Sequence, residues 1–291
     1  MDRFTEKQQE IDQRAAEVIA EYPALWSQMI TEWRQQGSED RAWLMYSANY
    51  LFRTAGVRWA MDPLRLSHKL PDAPEMPVDD LQDLDFILLT HQHSDHLDLG
   101  LLRSLQIYSI LWVVPAPLLP IVRADIDIDI AADRLIVPEA MRTIDVRGIR
   151  ITPFDGLHWE VEPESQSPRG VPAMGYLVEF NGKRWLFPGD TRTYDASQLP
   201  GFGPVDGVFA HVWLGRGCAL MDEPPQLNEF CQFFVSMRSQ QIVLTHLYEF
   251  GRDAQDFWDN RHVQDVSSCI FKRDSKISIS SASIGDGVKL K

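Results

Sequence analysis

Cysteine is scarce. Cys218, Cys231 and Cys269 are the only three in 291 residues, widely spaced and forming no CxxC, which excludes a disulfide framework and a cysteine zinc knuckle and fits a reducing compartment. Basic charge is also short. The 28 Lys and Arg against 42 Asp and Glu give a formal net charge of −14, which repels phosphate backbones and anionic lipid, so no nucleic acid is expected as a partner and a membrane is disfavoured. No basic run interleaved with aromatics argues otherwise. Long apolar runs are missing too: residues 110–122, the most apolar stretch, are broken by Pro115, Pro117 and Pro120 and fall short of the ~20 needed to span a bilayer. The start, MDRFTEKQQEIDQR, has neither the basic opening nor the apolar run of a secretion signal, so a cytoplasmic location is expected. What remains, 44% hydrophobic and 24% charged, is an ordinary globular chain with length for one large domain or two modest ones.

Residues 5–34 read as two helical pieces. Ile11, Ala15, Val18, Ile19 and Tyr22 form one apolar stripe and Leu25, Trp26, Met29, Ile30 and Trp33 another, with a capping box at Thr5 and Gln8, an interruption at Pro23 and a stop at Gly37. From Trp43 the pattern turns to strands, WLMYSANYLF and VRWAMD reading as a hairpin that turns at Ala55-Gly56 and ends at Asp62-Pro63. FILLT, residues 86–90, and QIVLT, residues 241–245, are short buried strands. The clearest hairpin is YLVEF, Asn181-Gly182, KRWLF, because Asn-Gly suits a turn whose two central residues both need positive φ. Helices are expected near residues 99–108, 226–237 and 253–266, giving two strand sets covered by helices. DIDIDI, residues 125–130, reads as a solvated edge strand and receives no function. The expected division is a helical extension, 1–38, and a domain, 39–291. Trp26 and Trp33 could rest on a bilayer, but residues 1–34 carry four basic and seven acidic side chains, 4 minus 7 being −3, the wrong sign for anionic headgroups. Packing on the domain, or a homo-oligomer contact, accounts for the extension better.

Chemistry gathers at THQHSDHLD, where His91, His93, Asp95 and His96 fall within six residues of a strand end. Imidazole and carboxylate are what a divalent cation such as zinc accepts. One loop cannot complete two metal spheres, and His158, Asp190 and His246 each follow an apolar strand-like run, IRITPFDGLH, KRWLFPGD and QIVLTH. Singly, each reads as a packed ring or a turn; beside the first cluster they read as ligands. His68 and His262 lack such spacing and read as surface or packing residues. Tyr194, Tyr248 and Glu249 are weaker candidates near the site. Arg169, Arg192 and Arg216 lie in loops where guanidinium suits an anionic small-molecule substrate, against the plainer reading of solvated surface charge. The proline-bearing segments 63–80, 159–173 and 219–226 are expected to shape a pocket.

HxHxDH, a later histidine, the Asp190 of Gly189-Asp190-Thr191 and a final histidine after a buried strand resemble the metallo-β-lactamase superfamily over residues 42–290. His158-Trp159 and Gly189-Asp190-Thr191 resemble most its branch of L-ascorbate-6-phosphate lactonase and N-acyl-phosphatidylethanolamine phospholipase D. The resemblance implies an α/β fold, a four-layer αββα sandwich with metals at one edge of the paired sheets. It implies two divalent metal ions, zinc by ligand type, with manganese and iron served by the same set. His91, His93 and His158 would hold the first ion, Asp95, His96 and His246 the second, and Asp190 would bridge them. The implied chemistry is attack of a shared hydroxide on a small ester, lactone or phosphodiester, with Asp95, Asp190 and His211 as the catalytic candidates. A lipid phosphodiesterase and a di-iron redox or sulfur-transfer protein are alternatives on the same ligands. Asp62 matches a buried aspartate that supports the metal loop, or is a turn cap before Pro63. His211, in AHVWLG, departs from the family pattern and is either a substrate contact or proton donor, or a buried ring bonded to backbone.

Overall fold

The computed structural model describes residues 2–124, 130–161 and 168–291. Residues 125–129 of the DIDIDI segment and the Arg169 side chain lie outside what is described. The first sheet contains β1 (Arg41–Leu44), β2 (Tyr50–Thr54), β3 (Val57–Met61), β4 (Phe86–Leu88), β5 (Leu111–Val113) and β6 (Leu135–Ile136), in that order. After β7 (Ile144–Val146) and β8 (Ile149–Asp155), a ribbon of β9 (Trp159–Val161) and β10 (Pro168–Gly170) interrupts the second sheet. That sheet continues with β11 (Met174–Phe180), β12 (Lys183–Phe187), β13 (Gly207–His211), β14 (Gln241–Thr245) and β15 (Ser278–Ser281), ordered 15-14-13-12-11-8-7. The chain then returns as β16 (Gly287–Lys289) to pair antiparallel with β1.

Helices flank both sheets: α1 (Arg3–Arg34), α2 (Leu66–Lys69), α3 (Leu99–Leu105) and α4 (Leu119–Ala124) on the first, α5 (Leu227–Ser236) and α6 (Asn260–Arg273) on the second. Because successive strand side chains point to opposite faces, each sheet buries two apolar surfaces. Trp43, Leu51, Ala60, Ile87 and Trp112 pack with α1 and α3, whereas Leu44, Phe52, Trp59, Phe86 and Val113 pack with Tyr176, Val178 and Phe187 of the second sheet. Leu177, Leu186, Val208 and Ile242 face α5 and α6. The expected αββα layering is present.

The N-terminal segment differs from its sequence reading. It is one helix that runs through Pro23. Proline inside a helix costs roughly 3 kcal/mol, but α1 buries Ile11, Tyr22, Trp26, Met29, Ile30 and Trp33 at about 1.5–3 kcal/mol for each large apolar side chain, and the sum outweighs the break. Its cap is Asp2, which accepts from Thr5 N at 2.9 Å, rather than a box of Thr5 and Gln8. Gln8 instead accepts from Ala254 N at 3.0 Å. Trp26 and Trp33 are buried, with Trp33 Nε1 donating to Phe52 O at 2.9 Å. WLMYSANYLF also differs: it folds back on itself as β1 and β2, closed by Met45 N donating to Asn49 O at 2.8 Å. The turn at Asn181-Gly182 forms as expected, with φ of 49° and 74°. Among the described residues no helix is long and apolar enough to cross a membrane.

Strands β3 and β4 run parallel, as do β12, β13 and β14. Their carboxyl ends therefore open on one rim of the sandwich, where α/β folds place ligands. Asp62, the HQHSDH loop, Asp190, His211 and His246 all lie there.

Candidate metal centre

The rim draws the seven candidate ligands into two groups that share one carboxylate. His91, His93, His158 and Asp190 place one ligand atom each within 4.8 Å of one another, and so do Asp95, His96, Asp190 and His246. Asp190 Oδ2 lies 3.5 Å from His158 Nε2 and 3.8 Å from His91 Nε2, while Oδ1 lies 3.2 Å from His96 Nε2. On the second side His246 Nε2 is 3.2 Å from Asp95 Oδ2. All seven are buried except His93, which is half-buried. The Nε2 atoms of His91, His96 and His158 are buried without a hydrogen-bond partner. Buried polar atoms are rarely left so, and a cation in each of the two groups would answer all three.

Asp62 fixes two of these rings. Its carboxylate accepts from Thr90 N at 2.8 Å, from the Thr90 hydroxyl at 2.5 Å and from His96 Nδ1 at 2.8 Å. With its hydrogen given to Asp62, the Thr90 oxygen accepts from His91 Nδ1 at 3.0 Å. Both imidazoles thus carry a proton on Nδ1 and turn Nε2 inward, the atom a metal would take. His158 differs: Val171 N donates to its Nδ1 at 3.3 Å, so this ring must exchange a long, weak bond for the other tautomer before it can ligate. Asp62 therefore supports the HQHSDH loop, and Asn49 Nδ2 ties it in by donating to Asp62 O at 2.7 Å and Asp95 O at 2.9 Å. Asp62→Asn is expected to weaken metal affinity roughly 10- to 100-fold with the fold retained, which a competition titration against a chromophoric chelator measures; unchanged affinity would remove Asp62 from the support role.

Backbone strain marks the same rim. Asp62 and His246 have φ of 45° and 62°, a left-handed conformation uncommon for such residues and held here by Asp62 N donating to Leu88 O and His246 N to Ser47 O, each at 2.9 Å. Charge is balanced inside the cage. Burial holds His91 neutral and pushes His93 down to about 4. Burial also opposes charge on His96 and His246, yet the Asp190 carboxylate beside both pushes them above the ordinary imidazole value. Asp190 and Asp95, which burial alone would raise, are held well below the usual carboxylate range by the surrounding imidazoles. Two carboxylates facing imidazoles is an arrangement in which a divalent cation can take the place of protons.

His211 bonds a side chain rather than backbone: its Nδ1 lies 2.7 Å from Asp190 Oδ1. Of the weaker candidates Glu249 does reach the cage, and it brings Arg252, which the sequence reading missed. Glu249 is 2% exposed, pairs with Arg252 Nε at 2.5 Å and lies 3.5 Å from His246 Nε2; Arg252 Nη2 reaches within 3.5 Å of Asp95 Oδ2. The other candidates sit apart from the cage. Tyr194 donates to Trp213 O at 2.6 Å, Tyr248 packs under Arg14, and His262 bonds Asp259 in the cap of α6. His68 does more than cover surface, since its Nε2 lies 3.0 Å from Ser94 O in the HQHSDH loop.

The cage opens into a cavity of about 350 Å³ lined by His93, Asp95, His158, Arg192, Arg216 and Arg252. Of the three proline-bearing segments expected to shape a pocket, only Gly170, among the described residues, lines it. An added Cβ there would meet His158 O at 1.8 Å, so glycine lets the β9–β10 ribbon close on that ligand.

A model of the beta-lactamase superfamily domain matches residues 60–247, a span that contains every candidate ligand. A comparison with curated proteins finds no match. Among solved structures, similarity is found to Igni18, a novel metallo hydrolase from the hyperthermophilic archaeon Ignicoccus hospitalis, with TM-score 0.62, 15% identity, and 87% of this chain and 98% of that one covered. An isothiocyanate hydrolase from Delia radicum gut bacteria matches with TM-score 0.58 and 17% identity over 85% and 98% of the two chains. CmlA, a diiron β-hydroxylase from Streptomyces venezuelae, matches with TM-score 0.55 and 18% identity, over 89% of this chain but 55% of that one. At these identities the likeness is one of fold.

Proposed function

Because the chain belongs to the beta-lactamase superfamily, we propose that its cage holds two divalent metal ions and that the protein hydrolyses a small ester, lactone or phosphodiester. The observation that carries this reading is the set of three buried, unpartnered imidazole Nε2 atoms beside a carboxylate that belongs to both ligand groups. His91, His93 and His158 would hold one ion, Asp95, His96 and His246 the other, and Asp190 both. Zinc suits the set, which also serves manganese and iron. Bound there, the ions would supply Lewis-acid polarisation and acidify water toward neutral pH. The protein's part is geometric. Asp190 turns Oδ1 toward His96 and Oδ2 toward His158, so its carboxylate faces both groups, and His211 holds it at Oδ1. Asp95 is the carboxylate that a molecule in the cavity meets, and we assign proton handling to it. A lipid substrate gains no support, since Trp26 and Trp33 are buried. The three cysteines are free and buried, as suits the reducing cytoplasm in which we place the enzyme.

A di-iron redox role is the second reading. Glu249 adds a buried carboxylate 3.5 Å from His246 Nε2, and CmlA is a diiron enzyme. One preparation separates the two. Protein purified without added metal is expected to contain two ions per chain, to lose activity on chelation and to regain it with zinc on at least one ester, lactone or phosphodiester of a panel. A stoichiometric di-iron absorption without hydrolysis would overturn the hydrolase reading.

A further inference from the structure

In a chain with a net charge of −14, the cavity beside the cage is walled by arginine. Arg192, Arg216 and Arg252 line it with His93, Asp95 and His158. Each arginine follows a rim residue along its own loop: Arg192 comes two positions after Asp190, Arg216 five after His211 and Arg252 six after His246. The strand ends that build the cage therefore also deliver the guanidinium groups. Two are braced. Arg252 is fixed by the ion pair to buried Glu249 at 2.5 Å, and Arg192 lies over the Trp213 ring with 5.0 Å to its centroid. A braced guanidinium loses little rotamer freedom on binding, and its planar fork matches carboxylate and phosphate oxygens in pairs. Among the described lining residues Asp95 is the single carboxylate, and it is a candidate metal ligand.

We infer that this wall binds an anionic group, phosphate or carboxylate, distinct from the bond that is cut, so the substrate is a small hydrolysable molecule with a fixed negative charge. The inference rests on the hydrolase reading above. A volume of about 350 Å³ is at the small end of ligand pockets, roughly 300–1,000 Å³, which suits a compact molecule. Clefts lined by one sign of charge also focus field lines and concentrate the opposite ion.

The test uses the full chain loaded with zinc, its metal content measured first, and three matched aryl esters: one neutral, one with a remote carboxylate, one with a remote phosphate. The better anionic ester is expected to exceed the neutral one by about 30-fold in kcat/KM, mostly through KM. That preference should shrink with added salt and fall about tenfold in Arg192→Gln and Arg216→Gln at unchanged zinc content. Which ester gains identifies the anion. Equal kcat/KM for all three overturns the anion site and leaves the hydrolase reading standing. Failure to cut any ester counts against that reading, and the wall is then judged by calorimetric titration of the zinc-loaded protein with phenyl phosphate and with benzoate. Binding weakened about tenfold in the two variants supports it; absent binding, or affinity unchanged in both, overturns it.

Discussion

Asp190→Ala is expected to empty the cage of metal and to lower turnover by a factor on the order of 10³ or more. Asp190 is the residue common to both ligand groups, with an oxygen 3.2 Å from His96 and another 3.5 Å from His158. Removing it takes one donor from each group and leaves His211 Nδ1, now 2.7 Å from its partner, without that partner. The fold should survive, because Asp190 follows β12 and belongs to none of the three apolar clusters. His93→Ala is the companion. His93 is half-buried and contributes to one group only, so it should lose one ion and most turnover. Elemental analysis with far-ultraviolet circular dichroism decides both; two ions retained in Asp190→Ala would show that the ligand set is misassigned.

The largest loss of stability is expected at Trp59. Its ring is fully buried between the sheets, stacked on Phe52 at 3.8 Å and 7° and on Phe86 at 5.4 Å and 8°, with Nε1 donating to Thr54 Oγ1 at 2.9 Å. The three rings are neighbours because Phe52, Trp59 and Phe86 pair across β2, β3 and β4. Trp59→Ala should cost about 3–5 kcal/mol, a large part of the 5–15 kcal/mol that holds an average domain together, and Trp59→Phe distinctly less. Urea unfolding measures both. A cost below ~1 kcal/mol for alanine would mean that the inter-sheet space closes around the gap.

The clustering of the seven candidate ligands was legible in the sequence because each stands at or shortly after the end of a buried apolar run, so the strand pattern and the chemical residue announce each other. The Asn181-Gly182 turn was legible for a similarly local reason, its need for two positive φ values. Other features depend on contacts distant in sequence. Met45 to Asn49 sits between two apolar stretches that read as one strand, and the fold-back there is visible once Asn49 is seen bonding Asp62 and Asp95. Proline at position 23 suggested a break because local propensity says nothing of the six side chains that α1 buries. His211 meets Asp190 from another strand, 21 residues away. Arg252 reaches the cavity only because the chain after His246 turns through a left-handed Tyr248, φ 52°, which no spacing rule foretells.

The pairing of β16 with β1 joins Lys289 to Arg41. A chain emerging from the ribosome therefore has α1 and the next three strands long before the last strand of their sheet exists. Until then β1 presents an open edge, a template for wrong partners, and closing so large a loop is intrinsically slow. Completion of the first sheet thus waits on residues 287–289, and the β1 edge stays open until they have been translated.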